Sequence, residues 1–151
     1  KDGPKTLEFN VRFGDPETEA IVPRLDSDLV EAMLAASNSQ LAKFKKAGGL
    51  RWKPQACVSV VCSSKGYPGN YETGKKISGL KEAAGMKDVV VFHAGTKRDA
   101  SGDILTSGGR VLAVSGLGVT VKEAITRRYQ AVKTISFEGM HCRTDIGARA
   151  L

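Results

Sequence analysis

Ala56-Cys57-Val58-Ser59-Val60-Val61-Cys62 reads as a strand, and it divides the chain. The run is short and valine-rich, as the pleated, half-buried surface of a sheet favours. A polar stretch, residues 50–55, precedes it, and a loop-like stretch with Pro68 and several glycines, residues 63–79, follows. Beyond that loop the pattern stays strand-rich. Residues 89–93 form a second buried-type strand. Residues 104–106 and 110–114 continue the sheet, with Ser107-Gly108-Gly109 between them, and a last strand falls around residues 140–142. Ser101-Gly102-Asp103, inside the charged turn 97–103, is a hairpin signal. Thr120-Val121-Lys122-Glu123 is a capping box. It predicts a helix through about Lys133, with Val121, Ala124, Ile125, Tyr129 and Val132 inward.

Upstream, residues 6–13 alternate cleanly. Leu7, Phe9, Val11 and Phe13 share one face, and Glu8, Asn10 and Arg12 the other, which predicts a strand. Gly14-Asp15-Pro16-Glu17 ends it. Asp15 can cap a short helix with Pro16 at its first position, carrying Ala20, Ile21 and Val22 and stopping before Pro23. A longer helix is predicted next, capped by Asp26 or Ser27, with Leu29, Val30, Met33, Leu34, Leu41 and Phe44 as its stripe. Lys43, Lys45 and Lys46 suit its C-terminal dipole, and Gly48-Gly49 ends it. Residues 50–55 hold the only Trp and mark a candidate boundary, so two units are expected, residues 1–54 and residues 55–151.

Composition excludes several classes. The 151 residues carry 23 Lys and Arg against 16 Asp and Glu, a net charge of +7, and 41% are hydrophobic, enough to bury a core. The longest apolar run, residues 89–92, is far too short to span a bilayer, and no signal-peptide pattern is present. A cytoplasmic globular protein with no membrane contact is expected. A first residue of Lys1 rather than Met points to a fragment. Three cysteines are too few and too irregular for a disulfide framework, so Cys57 and Cys62 are expected as buried free thiols. The excess of positive charge raises nucleic acid as a partner. Lys and Arg, however, are spread through every segment, and 6% aromatic residues are too few for a base-stacking surface.

Candidate chemistry lies first on the polar face of residues 6–13. Residues two apart on a strand lie about 7 Å apart at Cα, so Glu8 and Asn10 can converge oxygens on a metal ion. A carboxylate with an amide oxygen suits Mg²⁺, and Arg12 extends the row with a fork for phosphate or carboxylate. The same alternation also describes an ordinary solvated strand face. Asp15 and Glu17 sit in a turn whose following amides favour an anion. Lys65 and Tyr67 lie on a glycine-rich loop that can approach a sugar phosphate, although Lys65 equally fits a solvated lysine. Arg110, after two glycines, is the better phosphate ligand. His93 reads as a hydrogen-bonded histidine beside a loop, and the adjacent His141 and Cys142 point oppositely on a strand, which argues against a metal pair.

Five blocks, in order, carry a resemblance. They are residues 7–18, Ser64-Lys65-Gly66-Tyr67-Pro68-Gly69 with Tyr71 and Gly74 following, Phe92-His93-Ala94-Gly95-Thr96, residues 106–114, and residues 143–151. Together they resemble the phosphoribosylamine–glycine ligases, or glycinamide ribonucleotide synthetases, of the ATP-grasp class. The resemblance implies an α+β fold. Residues 1–54 would be the tail of an ATP-grasp domain, and residues 55–151 a C-terminal domain built as a small antiparallel sheet or barrel-sandwich with a helix. It implies an enzyme of de novo purine biosynthesis. ATP phosphorylates the carboxylate of glycine, and the amine of 5-phosphoribosylamine attacks the glycyl phosphate, giving glycinamide ribonucleotide, ADP and phosphate. It implies Glu8 and Asn10 as ligands of Mg²⁺ (or Mn²⁺), Arg12 as a catalytic contact to the acyl phosphate, and Asp15, Glu17, Lys65, Tyr67 and Arg110 around the substrates.

Two departures stand out. Glu19 takes a place where such ligases usually have Gln. The N-terminal substrate domain and nucleotide lobes of that family have no counterpart here, so the chain alone is not expected to bind ATP well or to turn over. The missing N-terminal part is its expected partner, and residues 1–51 should be poorly supported without it or be covered by dimerisation. The competing readings are a basic binding module and a non-catalytic partner subunit.

Overall fold

The computed structural model describes residues 3–151. Its elements in chain order are α1 (Thr18–Ile21), α2 (Leu29–Ser37), α3 (Leu41–Lys46), β1 (Ala56–Ser64), α4 (Leu80–Ala84), β2 (Val89–His93), β3 (Thr96–Arg98), β4 (Ile104–Thr106), β5 (Arg110–Gly118), α5 (Val121–Thr134) and β6 (Met140–Cys142). The valine-rich run is indeed central. β1 pairs antiparallel with β5 from Ala56 opposite Gly118 to Ser63 opposite Arg110, and its other edge takes β6. β2 covers the far edge of β5, so the sheet order is β2-β5-β1-β6. β5 is buried from Val111 through Gly118, as a strand covered on both faces must be.

Helix α5 lies on one face. Val60, Cys62, Leu112 and Val114 of the sheet pack with Ala131, Val132 and Ile135 in one core. Each such valine or leucine contributes about 1.5–3 kcal/mol by leaving water. The helix comes close because β5 offers it glycines. A Cβ on Gly116 would lie 2.7 Å from the Arg128 nitrogen, and one on Gly118 would lie 2.5 Å from the Ala124 nitrogen. The capping box forms: the Thr120 side chain accepts from the Glu123 N–H at 3.2 Å, and the Glu123 carboxylate accepts from the Val119 N–H at 3.0 Å.

Several expectations need correction. β4 does not continue the main sheet; it pairs with β3 in a separate two-stranded ribbon. The 99–103 turn folds β4 back on β3, with Asp99 Oδ1 accepting from the Ser101 and Asp103 N–H groups. α4 escapes sequence reading because five residues are too few to show a period. The long helix is two helices. Ser39 sits at φ +56 between α2 and α3, and polar Asn38-Ser39-Gln40 favour the turn. Its cap is Asp28, accepting from the Val30 N–H at 2.7 Å, because the Ser27 hydroxyl instead accepts from the Arg51 N–H at 2.8 Å. Pro23 does not stop α1 but continues it inside a 3₁₀ turn, Val22–Arg24, near the turn's start where no N–H is needed.

The largest correction is at residues 6–13, which form no strand. Leu7, Phe9 and Val11 are 96%, 87% and 99% exposed. Alternation supplies one apolar face, but a strand also needs a partner edge for its backbone groups, and no strand pairs with it among the described residues. Residues 14–27 are anchored. α1 and its 3₁₀ turn rest on β1 and β5. Asp26 N–H donates to the Arg51 carbonyl at 2.9 Å and Lys53 N–H to the Arg24 carbonyl at 2.7 Å. No helix among the described residues is long and apolar enough to cross a membrane.

Candidate functional site

Three loops meet at one end of the main sheet. β1 and β2 both run antiparallel to β5, so their C-terminal ends lie beside its start. β1 leads into Ser64-Lys65-Gly66-Tyr67-Pro68-Gly69, β2 into His93-Ala94-Gly95-Thr96, and Ser107-Gly108-Gly109 leads into Arg110. Backbone bonds lace the three together. Ser64 N–H donates to the Gly109 carbonyl at 2.8 Å, Gly95 N–H to the Arg110 carbonyl at 2.9 Å, and Ser107 N–H to the Gly95 carbonyl at 2.7 Å. Glycine permits the crossing, since a Cβ on Gly95 would lie 2.6 Å from Gly108 Cα. A side chain on Gly109 would overlap the Tyr67 and Tyr71 rings, whose centroids are 6.2 Å apart.

Asp15 reaches the same end. Its carboxylate is 3.0 Å from Arg110 Nη2, and its carbonyl accepts from Nη1 at 3.4 Å. Asp15 is therefore not the helix cap expected of it. Glu17 takes that position without a side-chain bond, and the Asp15–Pro16 peptide is cis. Local bonds set the turn: Thr18 donates to the Gly14 carbonyl from its N–H at 3.0 Å and from its hydroxyl at 2.6 Å. α1 is pinned to the sheet by the Ser115 hydroxyl, which donates to the Glu19 carbonyl at 2.6 Å. The Glu17 carboxylate lies back over Gly14.

Lys65 lines a cleft of about 600 Å³ with Ser64, Tyr71, Glu72, Lys75 and Glu138. Lys75 bridges two carboxylates, Glu72 at 2.9 Å and Glu138 at 3.1 Å. The hydrogen bond to Glu72 holds the Lys75 ammonium above its ordinary range, and Lys75 holds Glu72 below its own. Lys65 has no carboxylate at ion-pair distance among the described residues. His93 Nδ1 is 3.0 Å from Thr96 Oγ1, the hydrogen-bonded arrangement its sequence position suggested.

The structure thus gathers Asp15, Lys65, Tyr67 and Arg110 at one sheet end, with Glu17 beside Asp15. Glu8, Asn10 and Arg12 stay on the exposed N-terminal segment. Even without a strand, Asn10 Nδ2 donates to Glu8 Oε1 at 2.9 Å, so the two side chains meet. Arg12 Nη1 donates to the Phe13 carbonyl at 2.9 Å. No cluster of three or more His, Cys, Asp or Glu suited to a metal occurs among the described residues. Tyr71 and Lys75 join the site although neither stood out as a site residue. Tyr71 shares the glycine loop with Tyr67, which is a readable signal. The Lys75–Glu138 pair joins distant segments and has none.

Residues 57–149 match the family model described as phosphoribosylglycinamide synthetase, C domain. The chain is 48% identical over 151 residues to the phosphoribosylamine–glycine ligase of Phenylobacterium zucineum, covering 100% of this chain and 35% of that protein. It is 48% identical over 149 residues to that of Caulobacter vibrioides, covering 99% and 34%. The crystal structure of phosphoribosylamine–glycine ligase from Thermotoga maritima superposes with a TM-score of 0.68 at 33% identity, covering 93% of this chain and 32% of that one. The chain spans about a third of the length of these relatives. With its covering helix, its three-loop end and all of its sheet but Ala56 inside the matched residues, the chain belongs to the phosphoribosylglycinamide synthetase family and carries its C domain.

Proposed function

We propose that the chain works as one part of an ATP-dependent ligase that joins glycine to 5-phosphoribosylamine through glycyl phosphate. The products are glycinamide ribonucleotide, ADP and phosphate, and the setting is cytoplasmic purine biosynthesis. The observation that carries the reading is the Asp15–Arg110 pair. It docks the turn that directly follows the exposed segment of Glu8, Asn10 and Arg12 onto the three-loop end, so the chain leads from the oxygen ligands straight to the phosphate-type cations.

Glu8 and Asn10 fit Mg²⁺ or Mn²⁺ by their chemistry: their side chains meet through the Asn10 Nδ2 donor on Glu8 Oε1, and turning that amide over would present two hard oxygens to an ion and leave most positions to phosphates. When bound, such a metal offsets the charge of the ATP phosphates and lets a carboxylate approach them. Arg12 places a fixed fork against the acyl phosphate. Lys65 and Arg110 take the phosphate of phosphoribosylamine, and Tyr67 forms the wall of that site. Asp15 and Glu17 offer carboxylates to the amines that must be held for attack. The remaining ligands come from the portion of the ligase that this chain does not cover, and that portion is its partner. Residues 1–54 act with that portion and residues 55–151 as the C domain.

The test is a chimera in which these 151 residues replace the matching third of the Caulobacter vibrioides ligase. ADP release that depends on both glycine and phosphoribosylamine is expected, and the isolated chain should give none. Glu8→Gln should remove most of the chimera's turnover. A folded chimera without turnover would instead make the chain a non-catalytic relative.

A further inference from the structure

We propose that Cys142 and Cys62 form an oxidation site, in which a hydroperoxide oxidises Cys142 and Cys62 then closes a disulfide between β6 and β1. The register places the two residues directly opposite each other on antiparallel strands. Opposed residues point to the same face, and their Cβ atoms lie about 4.5–5.5 Å apart. A disulfide requires Cα atoms about 4.4–6.8 Å apart, which such a pair meets, and Cβ atoms about 3.5–4.5 Å apart, so the short edge strand β6 must move in by up to about 1 Å as the bond closes. Cys142 is partly buried and packs against the core that contains Cys62, which is wholly buried. Both thiols are free.

Arg128 supplies the second observation. It is fully buried, and Nη2 donates to the Ile146 carbonyl. Its Nε and Nη1 are buried without a hydrogen-bond partner among the described residues. Orphaned charged donors are costly, so this guanidinium is poised for an anion. Burial lowers its pKa, while Tyr129 and a Cys142 thiolate act in the other direction. The guanidinium carbon also lies 3.7 Å from the centroid of the Tyr129 ring. A negative charge formed beside this guanidinium would be met by its two unused donors.

The Cys142 thiolate attacks one peroxide oxygen; an S–O bond forms, the O–O bond breaks, and the alkoxide or hydroxide leaves and takes up a proton. The Cys62 sulfur then attacks the sulfenic sulfur; the S–S bond forms, the S–O bond breaks, and hydroxide leaves with the Cys62 proton as water. Two thiols are oxidised and one hydroperoxide is reduced to an alcohol, or to water, plus water. Burial pushes the Cys62 thiol up to about 12, which keeps it inert towards solvent oxidants, so its attack on Cys142 depends on the register that holds the two sulfurs opposite each other. Cys57 lies five residues from Cys62 on the same strand, which places it on the other face opposite Leu117, and makes it an internal control.

The experiment treats the intact chain with hydrogen peroxide at neutral pH, blocks remaining thiols with iodoacetamide and digests without reductant for mass spectrometry. A cross-linked peptide pair holding Cys62 and Cys142, two hydrogens lighter than its reduced parts and lost on adding dithiothreitol, is expected, with Cys57 alkylated. In Cys62→Ser, dimedone should label Cys142. The same labelling should be slower in Arg128→Met. Separate alkylation of Cys62 and Cys142 after peroxide, or a cross-link through Cys57, would overturn the proposal.

Discussion

The Arg110 guanidinium sits 3.0 Å from the Asp15 carboxylate, joining two segments that no local pattern links. Both side chains are about half exposed, so the pair contributes at most about 1 kcal/mol to stability. Under the proposed function the pair competes with a substrate. A phosphate that reaches Arg110 must displace Asp15, and the carboxylate so released can meet an amine.

Asp15→Asn should therefore raise the affinity of the chain for inorganic phosphate severalfold, and Arg110→Met should abolish that binding. Chemical-shift titration of the loop amides reads both. Equal phosphate affinity in all three proteins would remove Arg110 from the site, whatever the variants do to folding.

Gly109 is the residue on which the loop cluster closes. Gly109→Ala puts a methyl into the Tyr67 and Tyr71 rings and should cost about 1–3 kcal/mol in urea unfolding. Adding Tyr67→Ala should make the double variant less damaging than the sum, because the second change removes the closer of the two clashes. Strict additivity would mean that the two do not touch.

What the sequence disclosed, and what it hid, follows from the range of each interaction. Thr120 and Glu123 lie three apart and bond as the pattern says. The run at residues 56–62 is central because only a buried strand suits it. Residues 6–13 carry a strand pattern with no strand, since a period of two says nothing about where the partner edge is. The break at Ser39 is masked by an apolar stripe that continues across it, and the polar residues 38–40 are the one signal of a turn there. In the site, the glycines signalled loops near Arg110, but the Asp15–Arg110 and Lys75–Glu138 pairs join residues far apart in the chain. Arg128 was hidden by its neighbours, because a charged residue on an amphipathic helix is normally assigned to the solvent face.

Glu19 offers a test of a departure from its family resemblance. Its Oε2 is buried with no hydrogen-bond partner among the described residues, while its carbonyl is held by Ser115. Glu19→Gln keeps the shape and removes a poorly compensated charge, so stability should rise by about 1 kcal/mol, seen as a higher urea midpoint. A lower midpoint would show that the carboxylate has a cationic partner that matters.

Cys62 should make the fold sensitive to alkali. Burial raises its thiol from 9.0 to about 12, so between those values the unfolded chain loses this proton while the folded chain keeps it. The stabilisation is whole below pH 9.0 and is lost as pH rises towards about 12. In that window this group alone removes up to about 1.4 kcal/mol per pH unit. Cys62→Ala should lower stability at neutral pH through the lost packing, yet show a shallower decline above pH 9.0 than the unaltered chain. Unfolding in urea with reductant present, repeated across that range, separates the two effects. Parallel slopes would mean that the buried thiol ionises as readily folded as unfolded.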